Sequence, residues 1–459
     1  MLLISTQQFV FSQNYEANWL SVDQRATPQW FTDAKFGIFI HWGLYSVPAW
    51  APTGKSINTF DKYAEWYWFR IGNSYDKEVK DSTQIQNLFQ GHHKRVWGEQ
   101  FKYPDFASLW KAEFFDPEQW ARIIKNSGAK YVVLTSKHHD GFALWPSKQS
   151  WNWNSVDVGP HRDICASVTK AVKAQGLHMG LYYSLYEWYN PLYQSNFSKY
   201  VDDYMLPQLK DLVVRYQPDI VWTDGAWDHS SEEWKSTDFL AWLYNESPVK
   251  STVVVNDRWG KETRSKHGDF FTTEYDHGHD RADSLKYHAW EECRGVGGSF
   301  GYNQNENLED YQTPEALIHT LIQKVAAGGN LLLNVGPTAS GQIPVIMQQR
   351  LSEIGDWLKI NGEAIYETGI WDSNSLNSTN PNLYFTSKPN TVYIITTKWL
   401  TDEITLEGVT DVVAAELLGY KGKIKFKERN NQFSIIPPTI HPQLLKTNYA
   451  WVYKLSLKK

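Results

Sequence analysis

Ile220-Val-Trp-Thr-Asp224 is a short apolar run that ends on a carboxylate. Six more runs share that design. Phe36-Gly-Ile-Phe-Ile-His41 ends on a histidine, and Tyr131-Val-Val-Leu-Thr-Ser-Lys-His138-His139 on a histidine pair. His178-Met-Gly-Leu-Tyr-Tyr183 ends on paired tyrosines, and Val253-Val-Val-Asn-Asp-Arg258 on an arginine. Phe270-Phe-Thr-Thr-Glu274 ends on a glutamate, and Asn330-Leu-Leu-Leu-Asn334 on an asparagine just ahead of Gly336-Pro337. Apolar runs of this kind read as buried strands of a parallel sheet. In a (β/α)8 barrel the C-terminal strand ends converge on one face, and that face carries the active site. Fold and candidate site are therefore read from the same residues.

Between these runs lie helical patterns. A helix is expected from Trp19 to Trp30, then around Phe106–Asn126, Asp163–Gln175 closed by Gly176, and Tyr200–Arg215. Thr313–Ala327 and Val345–Ile360 complete the set, with a further strand at Ala289–Cys293. Little room is left for helices between the strands near Val253, Phe270 and Ala289, so an irregular barrel is expected on that side. From about Trp371 the texture changes to short alternating strands with turn residues between, among them Thr391-Val-Tyr-Ile-Ile-Thr-Thr and Gln432-Phe-Ser-Ile-Ile. That pattern reads as an all-β sandwich. The expected division is a barrel over residues 14–365 and a sandwich over 366–459.

The chain has 459 residues and a net charge of −6, with no basic tract. This argues against nucleic acid or an anionic membrane as partner, and no stretch is apolar enough to span a bilayer. Self-association stays open. Aromatic residues are abundant: 23 Trp, 26 Tyr and 21 Phe. Aromatics beside charges, in His41-Trp42-Gly43, Glu65-Trp66 and Asp224-Gly-Ala-Trp227, suggest a concave ligand site rather than core alone. Cys165 and Cys293 leave one disulfide or two free thiols open. Met1 to Gln13 reads either as the tail of a secretion signal, hence a secreted, periplasmic or lysosomal protein, or as a flexible arm. Asn196-Phe-Ser198 and Asn377-Ser-Thr379 fit glycosylation sequons.

Asp224 at a strand end reads as a nucleophile or general base, or as a helix cap. Glu274 reads as its partner, or as an ion-pair acceptor for Arg258 or Arg281. Two carboxylates on one rim are what glycoside cleavage requires: one attacks or activates water, and the other protonates the leaving oxygen. Arg258 suits sugar hydroxyls or a carboxylate. His41, His138 and His139 could ligate a metal, but His138 and His139 should point opposite ways on a strand, which weakens that case. Neutral histidines donating to hydroxyls fit better, with no metal and no cofactor.

The chain resembles α-L-fucosidases of glycoside hydrolase family 29, in the branch with the animal lysosomal enzymes. The resemblance is carried by Trp30-Phe-Thr-Asp-Ala-Lys-Phe-Gly-Ile-Phe-Ile-His-Trp-Gly43, Lys137-His-His-Asp-Gly-Phe142, Trp222-Thr-Asp-Gly225, Val254-Val-Asn-Asp-Arg-Trp-Gly260 and Gly329-Asn-Leu-Leu-Leu-Asn-Val-Gly-Pro337. It implies an exo-acting, retaining enzyme that removes terminal α-L-fucose from glycans through a covalent intermediate on Asp224. It implies sugar contacts from His41, Glu65, Trp66, His138, His139, Tyr182, Arg258 and Phe300, with Trp222 beside the nucleophile. Glu274 matches the acid/base form of bacterial members, with Asp276 and Glu291 as rivals. A catalytically dead fucose-binding protein would lack Asp224 or its acid partners. A metal-dependent barrel hydrolase would carry His-x-His on the first strand, where only His41 stands. A glycosidase for galactose is a third reading, disfavoured by an apolar Phe300 against C6.

Overall fold

The computed structural model describes residues 14–72, 83–275, 288–371, 381–429 and 432–458. Eight strands form one parallel sheet: β1 (Phe36–Ile40), β2 (Tyr131–Lys137), β3 (His178–Ser184), β4 (Ile220–Asp224), β5 (Val254–Val255), β6 (Phe271–Glu274), β7 (Trp290–Gly295) and β8 (Asn330–Val335). Their order is β5-β4-β3-β2-β1-β8-β7-β6. The first and last strands pair, with Phe36 opposite Leu331 and Ile40 opposite Val335. The sheet is a curled arc with the strand order of a barrel, open between β5 and β6. β1, β2, β4 and β8 are buried along their whole length. They are covered inside the curl by other strands and outside by helices, which explains their unbroken apolar character.

Helices Pro117–Asn126, Ile164–Ala174, Leu206–Tyr216, Ser236–Asn245, Pro314–Ala326 and Val345–Asn361 pack around the arc. Three expected helices differ. The opening one is two short helices, Trp19–Val22 and Gln29–Ala34, parted at Pro28, which caps the second. The second breaks into Phe106–Leu109 and Pro117–Asn126 because Asp116 caps a new start on Pro117. The fourth opens as a π-helical turn over Tyr200–Met205 before becoming α-helical at Leu206.

No helix separates β5 from β6, and the two do not pair. Asp269 fills the gap. Its backbone N–H donates to Val255 O at 3.0 Å. Its carboxylate accepts Val255 N–H at 2.8 Å and Tyr244 Oη–H at 3.1 Å. Arg25 completes it with a buried ion pair at 3.0 Å. A side chain here takes the place of a strand ladder.

The C-terminal region is antiparallel. β9 (Gly369–Ile370), β10 (Leu383–Lys388), β11 (Thr391–Thr396), β13 (Val412–Leu417) and β16 (Trp451–Leu457) form one sheet; β12 (Ile404–Glu407), β14 (Lys425–Arg429) and β15 (Gln432–Ile436) form the other. Alternate residues of β12 are buried and exposed, as a strand with one wet face requires. The sandwich docks on the last barrel helices through Trp357 Nε1–H to Ala450 O at 3.0 Å and Asn361 Nδ2–H to Thr447 Oγ1 at 2.9 Å. Cys165 and Cys293 are both free and buried. Met1–Gln13, Asn377, Asp276 and Arg281 lie outside the described residues.

Candidate active site

The strand ends open into a cavity of about 450 Å3. Eleven of the residues expected from sequence line it: Asp224 and Glu274; His41, His138 and His139; Glu65, Trp66, Tyr182, Trp222, Arg258 and Phe300.

Arg258 organises the carboxylates. Its Nη1–H donates to Asp224 Oδ1 at 2.8 Å, and its Nη2–H to Glu274 Oε2 at 3.3 Å. Nε–H donates to Thr272 Oγ1 at 3.0 Å, and the guanidinium lies 4.6 Å from the Trp222 ring centroid. The second oxygens are also held. Tyr182 Oη–H reaches Asp224 Oδ2 at 3.1 Å, and Tyr63 Oη–H reaches Glu274 Oε1 at 2.8 Å. Burial alone would raise the Asp224 carboxyl, but the Arg258 charge and the hydrogen bonds it receives outweigh that and hold it below the usual range. Asp224 is thus ionised and aimed. The turn that follows needs Gly225, at φ +75°, where a Cβ would meet Tyr186 Cβ at 2.4 Å.

The histidines are neutral. Burial lowers His41 to about 3 and His139 to about 4, and pushes His138 well down. Their tautomers follow from their partners. Asn334 Nδ2–H donates to Phe300 O at 2.6 Å, so Asn334 Oδ1 accepts from His41 Nδ1–H at 2.7 Å. Ser184 Oγ–H donates to Tyr186 O at 2.7 Å, so its oxygen accepts His139 Nδ1–H at 2.6 Å. In both rings Nε2 keeps its lone pair. These two histidines therefore present acceptors to the cavity, where sequence reasoning made them donors. A second expectation also changes. β2 ends at Lys137, so strand alternation does not reach His138 and His139, and both line the cavity with ring centroids 4.2 Å apart.

Glu65 accepts Gly301 N–H at 2.8 Å and Ser299 Oγ–H at 3.2 Å, and burial lifts its carboxyl to about 7. Phe300 forms an apolar wall, 4.9 Å from the His41 ring and 5.3 Å from Tyr63. Trp42, expected at the site, is core: it packs between Trp110 and Trp120 and does not line the cavity. Glu291 is enclosed inside the barrel. Tyr131 Oη–H and Trp222 Nε1–H take its two oxygens at 2.5 and 3.0 Å, so it holds the Trp222 indole and does not line this cavity.

Sequence reasoning missed Tyr63, Phe60, Arg70, Arg264, Phe39 and Cys293, all of which line the cavity. Phe39 and Cys293 were within reach, since each lies two residues from an inward-facing side chain, His41 or Glu291. Phe60 lies in the short 3-10 helix Thr59–Lys62 and Tyr63 caps it, where no strand period marks them.

Two carboxylates facing one aromatic-walled cavity on a barrel rim define the class: a glycoside hydrolase. The α-L-fucosidase family model matches residues 2–363, and the model of the α-L-fucosidase C-terminal domain matches residues 376–456. The chain is 47% identical to an α-L-fucosidase of Dictyostelium discoideum over 81% of this chain and 80% of that one. It is 44% identical to a plasma α-L-fucosidase of Rattus norvegicus, over 99% and 97%. The crystal structure of Thermotoga maritima α-fucosidase with a mechanism-based inhibitor superposes with a TM-score of 0.79 at 36% identity, covering 96% of this chain and all of that one. The chain belongs to the α-L-fucosidase family.

Proposed function

We propose that this protein is an exo-acting α-L-fucosidase that releases terminal α-L-fucose from fucosylated oligosaccharides or glycoproteins by retaining double displacement. Asp224 is the nucleophile and Glu274 the acid/base. The observation that carries this is the guanidinium of Arg258 bridging both carboxylates. One planar fork brings the two groups together, which favours the short separation of about 5 Å typical of retaining enzymes. In the first step Asp224 attacks C1 while Glu274 gives its proton to the leaving oxygen. In the second, Glu274 takes a proton from water, which displaces the sugar from Asp224.

Around this pair, His41 and His139 Nε2 accept sugar hydroxyls, Glu65 and His138 line the same wall, and Trp66, Tyr182, Trp222 and Phe300 enclose the ring and its C6 methyl. The catalytic unit spans 14–365 and the sandwich 366–459. A secreted or lysosomal location is in keeping with the plasma and tissue enzymes to which the chain is similar. NMR of the first sugar released from an aryl α-L-fucoside tests the mechanism. Initial α-L-fucose is expected; initial β-L-fucose would overturn retention.

A further inference from the structure

We propose that Thr272 is a positioning residue for the reaction: its hydroxyl, with its proton held by Asp257, sets the direction of the Arg258 fork and so the aim of both carboxylates. This rests on the fucosidase reading above and adds to it the device that fixes its central cation. Thr272 lies on β6 two residues before Glu274, so both side chains face the same way. It is 2% exposed and does not line the cavity, so it stands behind the site and touches no sugar.

Proton positions follow from the partners. A guanidinium only donates, so the 3.0 Å contact between Arg258 Nε and Thr272 Oγ1 is an N–H donated to the hydroxyl oxygen. The hydroxyl proton therefore goes to its other partner, Asp257 Oδ1, at 2.7 Å. The second oxygen of Asp257 accepts Ser265 N–H at 2.9 Å, which holds that carboxyl in place. Thr272 is held from its backbone as well, since Arg264 Nη2–H donates to its carbonyl oxygen at 2.7 Å. β5 and β6 are the unpaired edges of the sheet, so these bonds cross the seam where a ladder would otherwise fix the two strands. The guanidinium is planar and rigid. Trp222 lies against it at 4.6 Å and limits its movement toward the ring, while the Nε bond fixes where the fork points. Nη1 then meets Asp224 at 2.8 Å and Nη2 meets Glu274 at 3.3 Å. A hydroxyl that turned its proton toward Nε would repel the cation, and Asp257 removes that state.

The test sets Thr272→Val, which keeps the shape and removes the hydroxyl, against Thr272→Ser, which keeps the hydroxyl. The readout is the pH profile of kcat/KM on an aryl α-L-fucoside. Asp224 faces Arg258, the Tyr182 hydroxyl and the neutral His41 and His139, with Glu274 across the fork and Arg264 on the Thr272 carbonyl; of these, Arg258 is the cation bonded to it. Arg258 holds the Asp224 carboxyl down. A loosened fork lets it rise, so Thr272→Val should lose activity sooner as pH falls. Its acidic limb should move up by about one unit, with kcat/KM at the optimum down about 10–100-fold. Thr272→Ser should keep the wild-type limb and stay within about threefold in rate. A variant that merely folds less well lowers the apparent kcat with its folded fraction and leaves the limb where it is. An unmoved acidic limb in Thr272→Val would therefore overturn the relay, as would a Thr272→Ser profile displaced as far as that of Thr272→Val. Wild-type protein inert to the fucoside would instead remove the fucosidase reading, and the relay with it.

Discussion

The arc from β8 through β1 to β4 and the seam between β5 and β6 hold the active site in different ways. Along the arc, strands pair in parallel with one register shift, between Thr135 and Lys137 where β2 meets β3, and His41 and His139 beyond their ends are neutral and fixed through short hydrogen bonds to Asn334 and Ser184. At the seam the ladder stops, and the site is held by charge: Arg258 between Asp224 and Glu274, and Arg25 on Asp269. Neutral acceptors stand on the arc, and Asp224 at the end of β4 meets Glu274 of β6 through Arg258, across the place where the sheet opens. A strand end can aim an acceptor, but keeping an ionised Asp224 and a second carboxyl side by side needs a cation that a ladder cannot supply.

Breaking the charged side should cost most. Asp224→Ala removes the covalent route and should lower kcat/KM on an aryl α-L-fucoside by roughly a thousandfold or more with the fold retained by circular dichroism; retention within about tenfold would show that Asp224 is not the nucleophile. Asp269→Ala strikes the seam away from the cavity. It leaves Arg25 buried without its partner and should destabilise the protein by about 3–5 kcal/mol in denaturant unfolding. An unchanged midpoint would mean that backbone contacts alone close the gap.

Glu274→Ala should depend on the leaving group. A poor leaving group needs the delivered proton and should suffer far more than an activated aryl fucoside in the first step. Should Asp276→Ala or Glu291→Ala carry that signature instead, the acid/base role moves to that residue. Tyr63→Phe loses one hydrogen bond to a carboxylate. A loss of about 1.5–3 kcal/mol in transition-state stabilisation, roughly 10–100-fold, is expected, with a displaced pH profile. A profile and rate like wild type would make Tyr63 a spectator.

The arc side gives the smallest effect, and it is an absence. His41 and His139 have values lowered to about 3 and 4, so they gain a proton only as pH falls through that range and stay acceptors above it. Their protonation should therefore put no inflection near pH 6.5 in kcat/KM. An acidic limb at 6.5 that His139→Gln abolishes would show a protonated histidine in the site.

Much of this was legible because the barrel rim rule turns strand ends into site residues. Asp224, Arg258, Glu274 and His41 each close one of the β-rich runs. The inward period also marks Phe39. What the sequence hid lies where no period operates. Phe60 lies in the short 3-10 helix Thr59–Lys62, which Tyr63 closes, and the Tyr63 contact with Glu274 spans 211 residues. The seam was foreseen only as missing helices, because nothing in Gly268-Asp-Phe-Phe announces that Asp269 takes the place of a strand. Trp42 misled because a tryptophan beside a strand-end histidine looks the same in sequence whether it faces the ligand or the helices.

The strand order has a consequence for how the molecule comes together. The arc's free edges, β5 and β6, lie mid-chain, while the chain's first and last barrel strands meet in its interior. It is therefore two sub-arcs, β1 to β5 and β6 to β8, joined by one pairing between residues nearly the full barrel length apart. Local pairings within each sub-arc cost little loop entropy, and that join costs most. Asp224 belongs to the first sub-arc and Glu274 to the second. Fucosidase activity should then be the last property regained on refolding, after the tryptophan-rich first sub-arc has already recovered its fluorescence.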